Sequence, residues 1–591
     1  MKKILTLVLS MMMALSLAAC QNTDQPSESG FSGGTFEGTA KGFGGDVVAN
    51  VKLSADKVIE AIEITADGET ETIGGAAVGV LTDKMLEVQS TQVDTVAGAT
   101  ITSNAVIAAV NAALEAAGID PATLTPKEVD KTVENVVETT DVVVVGAGGA
   151  GMTAAITLAE EGYEVILVEK AAAVGGNTSR ATGGMNAAET HYQAEQNIED
   201  SVEVMIEDTM TGGHNINNRD LVTVLAQNSA AGIDWLDSIG ANLVSIKFAG
   251  GATNMRSHRP VDENGKVIAV GTYLVEKLKA AVDSYKNIEV IYNTEVTEIM
   301  MINGIATGVK AVSEAAEYTI HSATVIVTTG GYGGNMDIIT QYRPDLEGYV
   351  STNAPTIEGD AIAFLSAAGA NMIDMEQIQI HPTVIQTDGY LISESLRGDG
   401  AILVNAEGKR FINELLTRDV VSAGVIEQPG SYAWLIVDQE MYDASKVVQG
   451  YVSNGYMIKG ETLEALASAM DVDVNNLTAT LTNWPSYVAN GTDPDFGREG
   501  LAETNYDLKE GPWYAAKIAP GIHHCMGGVE INTSAQVIST EGSVIPGLYA
   551  AGEVTGGVHG GNRLGGNAVT DIIVFGRIAG ASASDYMSSA K

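Results

Sequence analysis

The chain has 591 residues, 45% of them hydrophobic, with 66 Gly and 13 Pro, enough for several packed domains. Its formal net charge of -43 excludes a nucleic-acid-binding surface and a face that lies on anionic lipid, so no nucleic-acid partner is expected. Any site for an acid must then carry its own local positive charge. There are two cysteines, Cys20 and Cys525, no CxxCH, and no Cys or His cluster with metal or iron–sulfur spacing, so no metal is expected.

Lys2 and Lys3 precede an apolar run from Ile4 to Leu17, then Leu17-Ala18-Ala19-Cys20. A basic start, an apolar core and small residues at its end describe a signal peptide over 1–19. Small residues directly before a Cys resemble the bacterial lipoprotein box. That resemblance implies that Cys20 carries the lipid, that the protein is extracytoplasmic at the cell membrane, and that the lipid is its only membrane anchor. Residues 20–32 are rich in Ser, Gly and polar side chains, a flexible tether.

A small domain is expected over 33–118. Thr35 to Ile64 alternates apolar and polar residues with Gly punctuation, as strands joined by tight turns do. An Ala-rich helix runs from near Thr102 to about Ala117. Between them lies Asp94-Thr95-Val96-Ala97-Gly98-Ala99-Thr100. This run is similar to the motif of the FMN-binding domain of extracytoplasmic flavoproteins, with Ala97 where Ser is usual. The resemblance implies FMN held covalently at Thr100 through a phosphodiester, attached by a flavin transferase. The bland alternative is a turn with Thr100 or Thr102 as a helix cap.

Residues 119–139, with Pro121, Pro126 and mixed charge, read as a linker. Asp141 to Val145 is a buried strand that runs into Gly146-Ala147-Gly148-Gly149-Ala150-Gly151 and an Ala-rich helix to Glu161. Tyr163 to Val168 is the next strand, closing at Glu169. Between strand and helix, Gly146 permits the tight turn, Gly148 lets the backbone approach a pyrophosphate, and Gly151 allows close packing. The helix N-terminus offers N–H groups to phosphate, and Glu169 can accept bonds from a ribose.

Further segments follow in order: Gly175 to Thr178, Thr182 to Asn186, Val325 to Gly331, Gly359-Asp360, and Pro546 to Glu553. This order resembles the FAD domain of the fumarate reductase and succinate dehydrogenase flavoprotein family. The resemblance implies an α/β fold: a Rossmann-like FAD-binding domain with an inserted α+β clamp domain, preceded by the small α+β FMN-binding domain. The FAD domain would occupy 140–375 and 525–591, the clamp 376–524. Non-covalent FAD would be held by Gly146, Gly148, Gly151, Glu169, Lys170, Gly176, Asn177, Thr178, Gly183, Gly184, Asp360, Glu553, Asn567 and Ala568.

Three blocks border the insertion: Ile380-His381-Pro382-Thr383 with Ser393-Glu394-Ser395-Leu396-Arg397 and the run to Arg418; His523-His524-Cys525; and His559 to Asn567. They resemble those of soluble, periplasmic-type fumarate reductases. The resemblance assigns one substrate carboxylate to His523 and Arg563, and the other to His381 with Ser393. Arg418 would donate the proton, fed through Glu394 and Arg397. Read alone, Glu394 and Arg397 are also a helix-face ion pair. His258, His524 and His559 are expected to be structural or cofactor-contacting, and Cys525 a packing residue.

The expected reaction is reduction of the carbon–carbon double bond of a small unsaturated carboxylate, fumarate first, with a larger enoate such as urocanate or a cinnamate-like acid as the alternative. Ala249, where such reductases often place Met, would open the pocket. Outside the cytoplasm the electrons would come from a membrane-associated donor through FMN to FAD. Other readings are an aspartate oxidase or ketosteroid dehydrogenase, and a flavin-carrying electron-transfer lipoprotein with no substrate of its own. The paired carboxylate sites oppose the steroid, and Arg418 with the clamp opposes the carrier.

Overall fold

The computed structural model describes residues 31–69, 74–96, 99–127, 133–501 and 506–589; Cys20 and the expected signal peptide lie outside them. Gly34–Lys41, Asp46–Leu53 and Ile59–Thr65 form an antiparallel three-stranded sheet. Its middle strand buries Val47, Ala49, Val51 and Leu53, alternate residues that the two-residue repeat puts on one face. Helices Ala76–Val88 and Thr100–Ala116 help close that core. Gly38 lets the first strand touch the second helix, since a Cβ there would lie 2.2 Å from the Ala109 carbonyl oxygen. Thr100 is the first residue of this helix, and the Ser103 hydroxyl accepts from Val96 N–H at 3.0 Å in the preceding turn.

The linker expectation for 119–139 is corrected at its end. Glu134–Thr139 is a strand, paired in parallel with Ala316–His321 at the edge of a four-stranded sheet. Its side chains are mostly exposed, Val137 by 68%. The backbone ladder holds it, so no buried alternation marks it in the sequence.

The main sheet has six strands in the order Ile288–Ile291, Val165–Val168, Val142–Val145, Thr324–Val327, Val544–Ala550 and Gln536–Ile538. The first five are parallel and the last is antiparallel. A continuous aliphatic run suits the second and third strands because both faces are covered. One cover is the helix Gly149–Glu160, against which the C-terminal helix Asn567–Ser589 packs. Gly576 and Gly580 make that contact close: a Cβ on either would stand 2.9 Å from a carbonyl oxygen of the first helix.

The insertion builds its own core on a sheet containing Ile378–Val384, Trp513–Cys525, Ala433–Asp438 and Ile402–Val404. Trp513–Cys525 is 13 residues long. One end lies in the clamp core and the other carries His523 and His524 to the rim of the main sheet. Ligand sites in such open parallel sheets form beyond the strands' carboxyl ends, where these parts meet.

Candidate active site

One cavity, with about 1600 Å³ of empty space continuous with solvent, runs along this seam. Its wall includes Gly146, Gly148, Glu169, Lys170, Gly176, Asn177, Thr178, Gly183, Gly184, Asp360, Glu553 and Ala568. It also includes His381, Ser393, Glu394, Arg418, His523 and Arg563. Three expected site residues are not in the wall: Gly151, Arg397 and Asn567. Gly151 acts in packing, since a Cβ there would fall 1.9 Å from the Gly146 carbonyl oxygen. The Asn567 side chain accepts from Asn186 at 2.8 Å and donates to Thr209 at 3.1 Å. Ala249 is buried but does not line the cavity either.

At the nucleotide end, Gly146 has φ +99°, and a Cβ would lie 2.7 Å from the Thr328 carbonyl oxygen. Only glycine suits that turn. Gly148 presents an open face, with no atom nearer than 3.9 Å to a built Cβ, beside the N-terminus of the helix Gly149–Glu160. The Glu169 carboxylate accepts from Ala147 N–H at 2.8 Å and Ala171 N–H at 2.7 Å, which fixes its direction. Burial raises its pKa against those bonds. Lys170 pairs with Glu358 at 2.9 Å and Asp360 at 2.6 Å. Further along, Glu553 accepts from Asn177 and from Cys525 N–H, each at 3.0 Å.

These residues fit FAD. The open glycine face at the helix N-terminus suits the pyrophosphate. Glu169 suits a ribose diol. The buried His524 Nε2, which has no partner among the described residues, lies in the same wall.

At the other end, strand pairing assembles the histidines. Ile378–Val384 runs antiparallel to Trp513–Cys525 with His381 opposite Gly521, so the His381 and His523 rings meet with centroids 5.0 Å apart. Thr383 N–H donates to His381 Nδ1 at 3.3 Å, which leaves the ring proton on Nε2. That atom is buried and without a hydrogen-bond partner. His523 Nδ1 is held by the Thr352 hydroxyl at 2.7 Å. Burial, then Arg418, pushes both rings well below the usual imidazole range, so both are neutral before an anion arrives.

Arg418 begins the helix Arg418–Ile426 and is itself buried. Its Nε donates to Glu394 at 2.5 Å and its Nη1 to Gln379 at 2.9 Å. Arg397 Nη2 lies 3.8 Å from the same Glu394 oxygen. Glu394 also accepts from Gly250 N–H at 2.9 Å. Two glycines grip it: a Cβ would come within 2.5 Å of its carboxylate at Gly250 and 2.7 Å at Gly565. Burial pushes the Glu394 carboxyl up, but Arg418 and Arg397 outweigh it and hold the pKa at about 2. Arg563 is 4% exposed, donates to the Leu564 carbonyl at 2.9 Å, and has no carboxylate partner among the described residues. Burial and the neighbouring Arg418 push its pKa well below the usual guanidinium value.

The other histidines are engaged. His258 lies between Thr190 and the Arg256 carbonyl, each at 2.8 Å, and burial lowers its pKa to about 4. His559 contacts Asp571 at 3.2 Å. Cys525 is fully buried.

Sequence reasoning missed Gln379, Thr352, Gly250 and Gly565. Gln379 joins both arginine segments, because its Nε2 donates to the Arg563 carbonyl at 2.7 Å. It had a signal: in a strand, residue 379 shares a face with residue 381. Thr352 had none, since it belongs to no motif and only the fold lays it against His523.

Residues 141–569 match a family model described as an FAD binding domain, and residues 42–115 one described as an FMN-binding domain. The NADH:fumarate oxidoreductase of Klebsiella pneumoniae is 40% identical over 564 residues, 94% of this chain and 59% of that protein. The chain thus spans well under two thirds of that relative's length. The urocanate reductase of Eggerthella lenta is 34% identical over 592 residues, 96% of each chain. The structure of the open conformation of a flavocytochrome c3 fumarate reductase superposes with TM-score 0.62 at 44% identity, covering 76% of this chain and 78% of that one. The chain carries FAD- and FMN-binding domains and belongs to the FAD-binding fumarate reductase family of oxidoreductases.

Proposed function

We propose that the protein reduces the carbon–carbon double bond of a small unsaturated dicarboxylate, fumarate foremost. The observation that carries this reading is a charge imbalance. Among the described residues, Glu394 is the one carboxylate within ion-pair distance of any of Arg397, Arg418 and Arg563, in a buried site flanked by two neutral histidines. Buried charge is costly unless paired, and a dianion supplies the two missing negative charges.

Arg563 and His523 hold one carboxylate, and His381 Nε2–H with the Ser393 hydroxyl holds the other. FAD, held by the Gly146–Gly148 turn, Glu169 and Glu553, would supply the hydride for one alkene carbon. Negative charge then builds on the neighbouring carbon and spreads into its carboxylate, where the fixed Arg563 guanidinium stabilises it. Arg418 gives its proton to that carbon and is reprotonated through Glu394, 2.5 Å away, and Arg397. A guanidinium is a weak acid in water, with a pKa above about 12, but a carbanion is a far stronger base.

The N-terminal domain would hold FMN at Thr100, attached by a flavin transferase, giving a second flavin that takes electrons from a membrane-associated donor. The Lys2–Cys20 segment supports an extracytoplasmic, lipid-anchored location. A second reading is urocanate as substrate, favoured by the relative that matches over the full domain arrangement. Steady-state assays with reduced viologen and a panel of unsaturated acids decide among them. Fumarate is expected to give the highest kcat/KM. If no acid oxidises the dye, the reading fails; if urocanate wins, the second reading replaces the first.

A further inference from the structure

Four lysine and arginine side chains line the cavity: Lys170, Arg180, Arg418 and Arg563. Lys170 is paired with Glu358 and Asp360, and Arg418 with Glu394. Arg563 belongs to the carboxylate pocket. Arg180 has no role in the fold or in the chemistry above. It ends the short turn Gly176–Arg180, stays exposed to the cavity, and is crowded by protein on its other sides. Among the described residues no carboxylate lies within ion-pair reach of it. Its side chain donates from Nη1 to the Thr352 carbonyl at 3.3 Å, which leaves most of its N–H groups free. Thr352 is also the residue whose hydroxyl holds His523.

The clamp faces Arg180 with Tyr390 and Asp388. Tyr390 stacks on Tyr456 with centroids 4.4 Å apart, and the Tyr456 hydroxyl donates to Asp388 at 2.7 Å. Asp388 is therefore already engaged. An accessible, unpaired guanidinium one residue away from the carboxylate pocket attracts anions into a protein whose net charge of -43 repels them.

We propose that Arg180 is a capture subsite for the carboxylate of the incoming substrate, placed ahead of the His381, His523 and Arg563 pocket. This rests on the dicarboxylate reading above. Steering by one cation acts on the approach and on the first bound complex, so it is sensitive to salt.

The test titrates oxidised holoprotein with malonate, a dicarboxylate that cannot be reduced, and follows the flavin absorbance. For Arg180→Leu, with Arg180→Gln as a second variant, the malonate Kd is expected to rise about tenfold at low ionic strength. The gap should narrow at about 0.5 M salt, and Arg180→Lys should keep the wild-type salt dependence. An unchanged Kd in both neutral variants overturns the proposal. So does loss of FAD with unaltered malonate binding by the remaining holoprotein, which would assign Arg180 to a cofactor phosphate. Failure of wild-type protein to bind malonate or reduce any acid would instead bring down the dicarboxylate reading.

Discussion

Two buried arginine–carboxylate clusters lie side by side in this molecule and are built on opposite terms. In the clamp, Arg410 and Arg498 face Glu414 and Asp493, two charges of each sign. Glu414 takes two bonds from Arg410 at 2.8 Å, one from Arg498 at 3.2 Å and one from Leu403 N–H at 3.2 Å. The Arg410 guanidinium also sits 4.5 Å from the Trp484 ring centroid and 5.3 Å from that of Phe496. Beside it, the cavity cluster has three arginines and one glutamate, and leaves His381 Nε2, Arg563 Nε, and Arg397 Nε and Nη2 without hydrogen-bond partners among the described residues. The two are linked, because Arg397 donates to the Glu414 backbone carbonyl at 2.6 Å. The difference teaches how to tell scaffold from site. A charge-balanced network stabilises one conformation, whereas an unbalanced one stores the complement of a ligand.

Substitutions can break or sharpen that contrast. The largest expected effect is on turnover: Arg418→Ala should lower kcat at least about 10³-fold while the flavin spectrum persists, read by viologen-linked assay and absorbance. Next, Glu414→Gln should cost about 3–5 kcal/mol of stability in denaturant unfolding, because it strands the buried Arg498 guanidinium and leaves Arg410 with Asp493 alone. If it spared stability, the balanced cluster would not be scaffold. Arg563→Met should do the reverse, weakening dicarboxylate binding while raising stability by about 1 kcal/mol, since it removes an unpaired buried charge. Gly565→Ala should reduce kcat about tenfold with little loss of flavin, by pushing Glu394 off Arg418; wild-type kcat would mean that the grip on Glu394 is irrelevant.

A further effect concerns pH. Glu394 has its pKa depressed from 4.5 to about 2, so its ionised form stabilises the fold above pH 4.5. That contribution is lost as pH falls through about 2. The stability gap between wild type and Glu394→Gln should therefore shrink between pH 4.5 and 2, measured by denaturant midpoints.

Much of this was legible in the sequence because local constraints write themselves locally. The run from Val142 to Gly151 states its strand, turn and helix through β-branched residues and obligatory glycines. His381, Glu394, Arg418, His523 and Arg563 sit inside short blocks, and the fold brings all five to one cavity. What stayed hidden depends on contacts between distant segments. Thr352 matters only because it lies against His523, and Gly250 because it lies against Glu394. The strand Glu134–Thr139 is held through its backbone ladder, and the Asn567 side chain bonds to Asn186 and Thr209, contacts that no local pattern states.

The strand Trp513–Cys525 pairs along its length with Ala433–Asp438 in the clamp and with Ile378–Val384, which bears His381. His523 is also tied to the FAD-domain side: Thr352 N–H donates to the Ile522 carbonyl at 2.9 Å, and the Thr352 hydroxyl contacts His523 Nδ1 at 2.7 Å. One unbroken strand therefore sets the spacing of both imidazoles from the clamp core and from the main sheet at once.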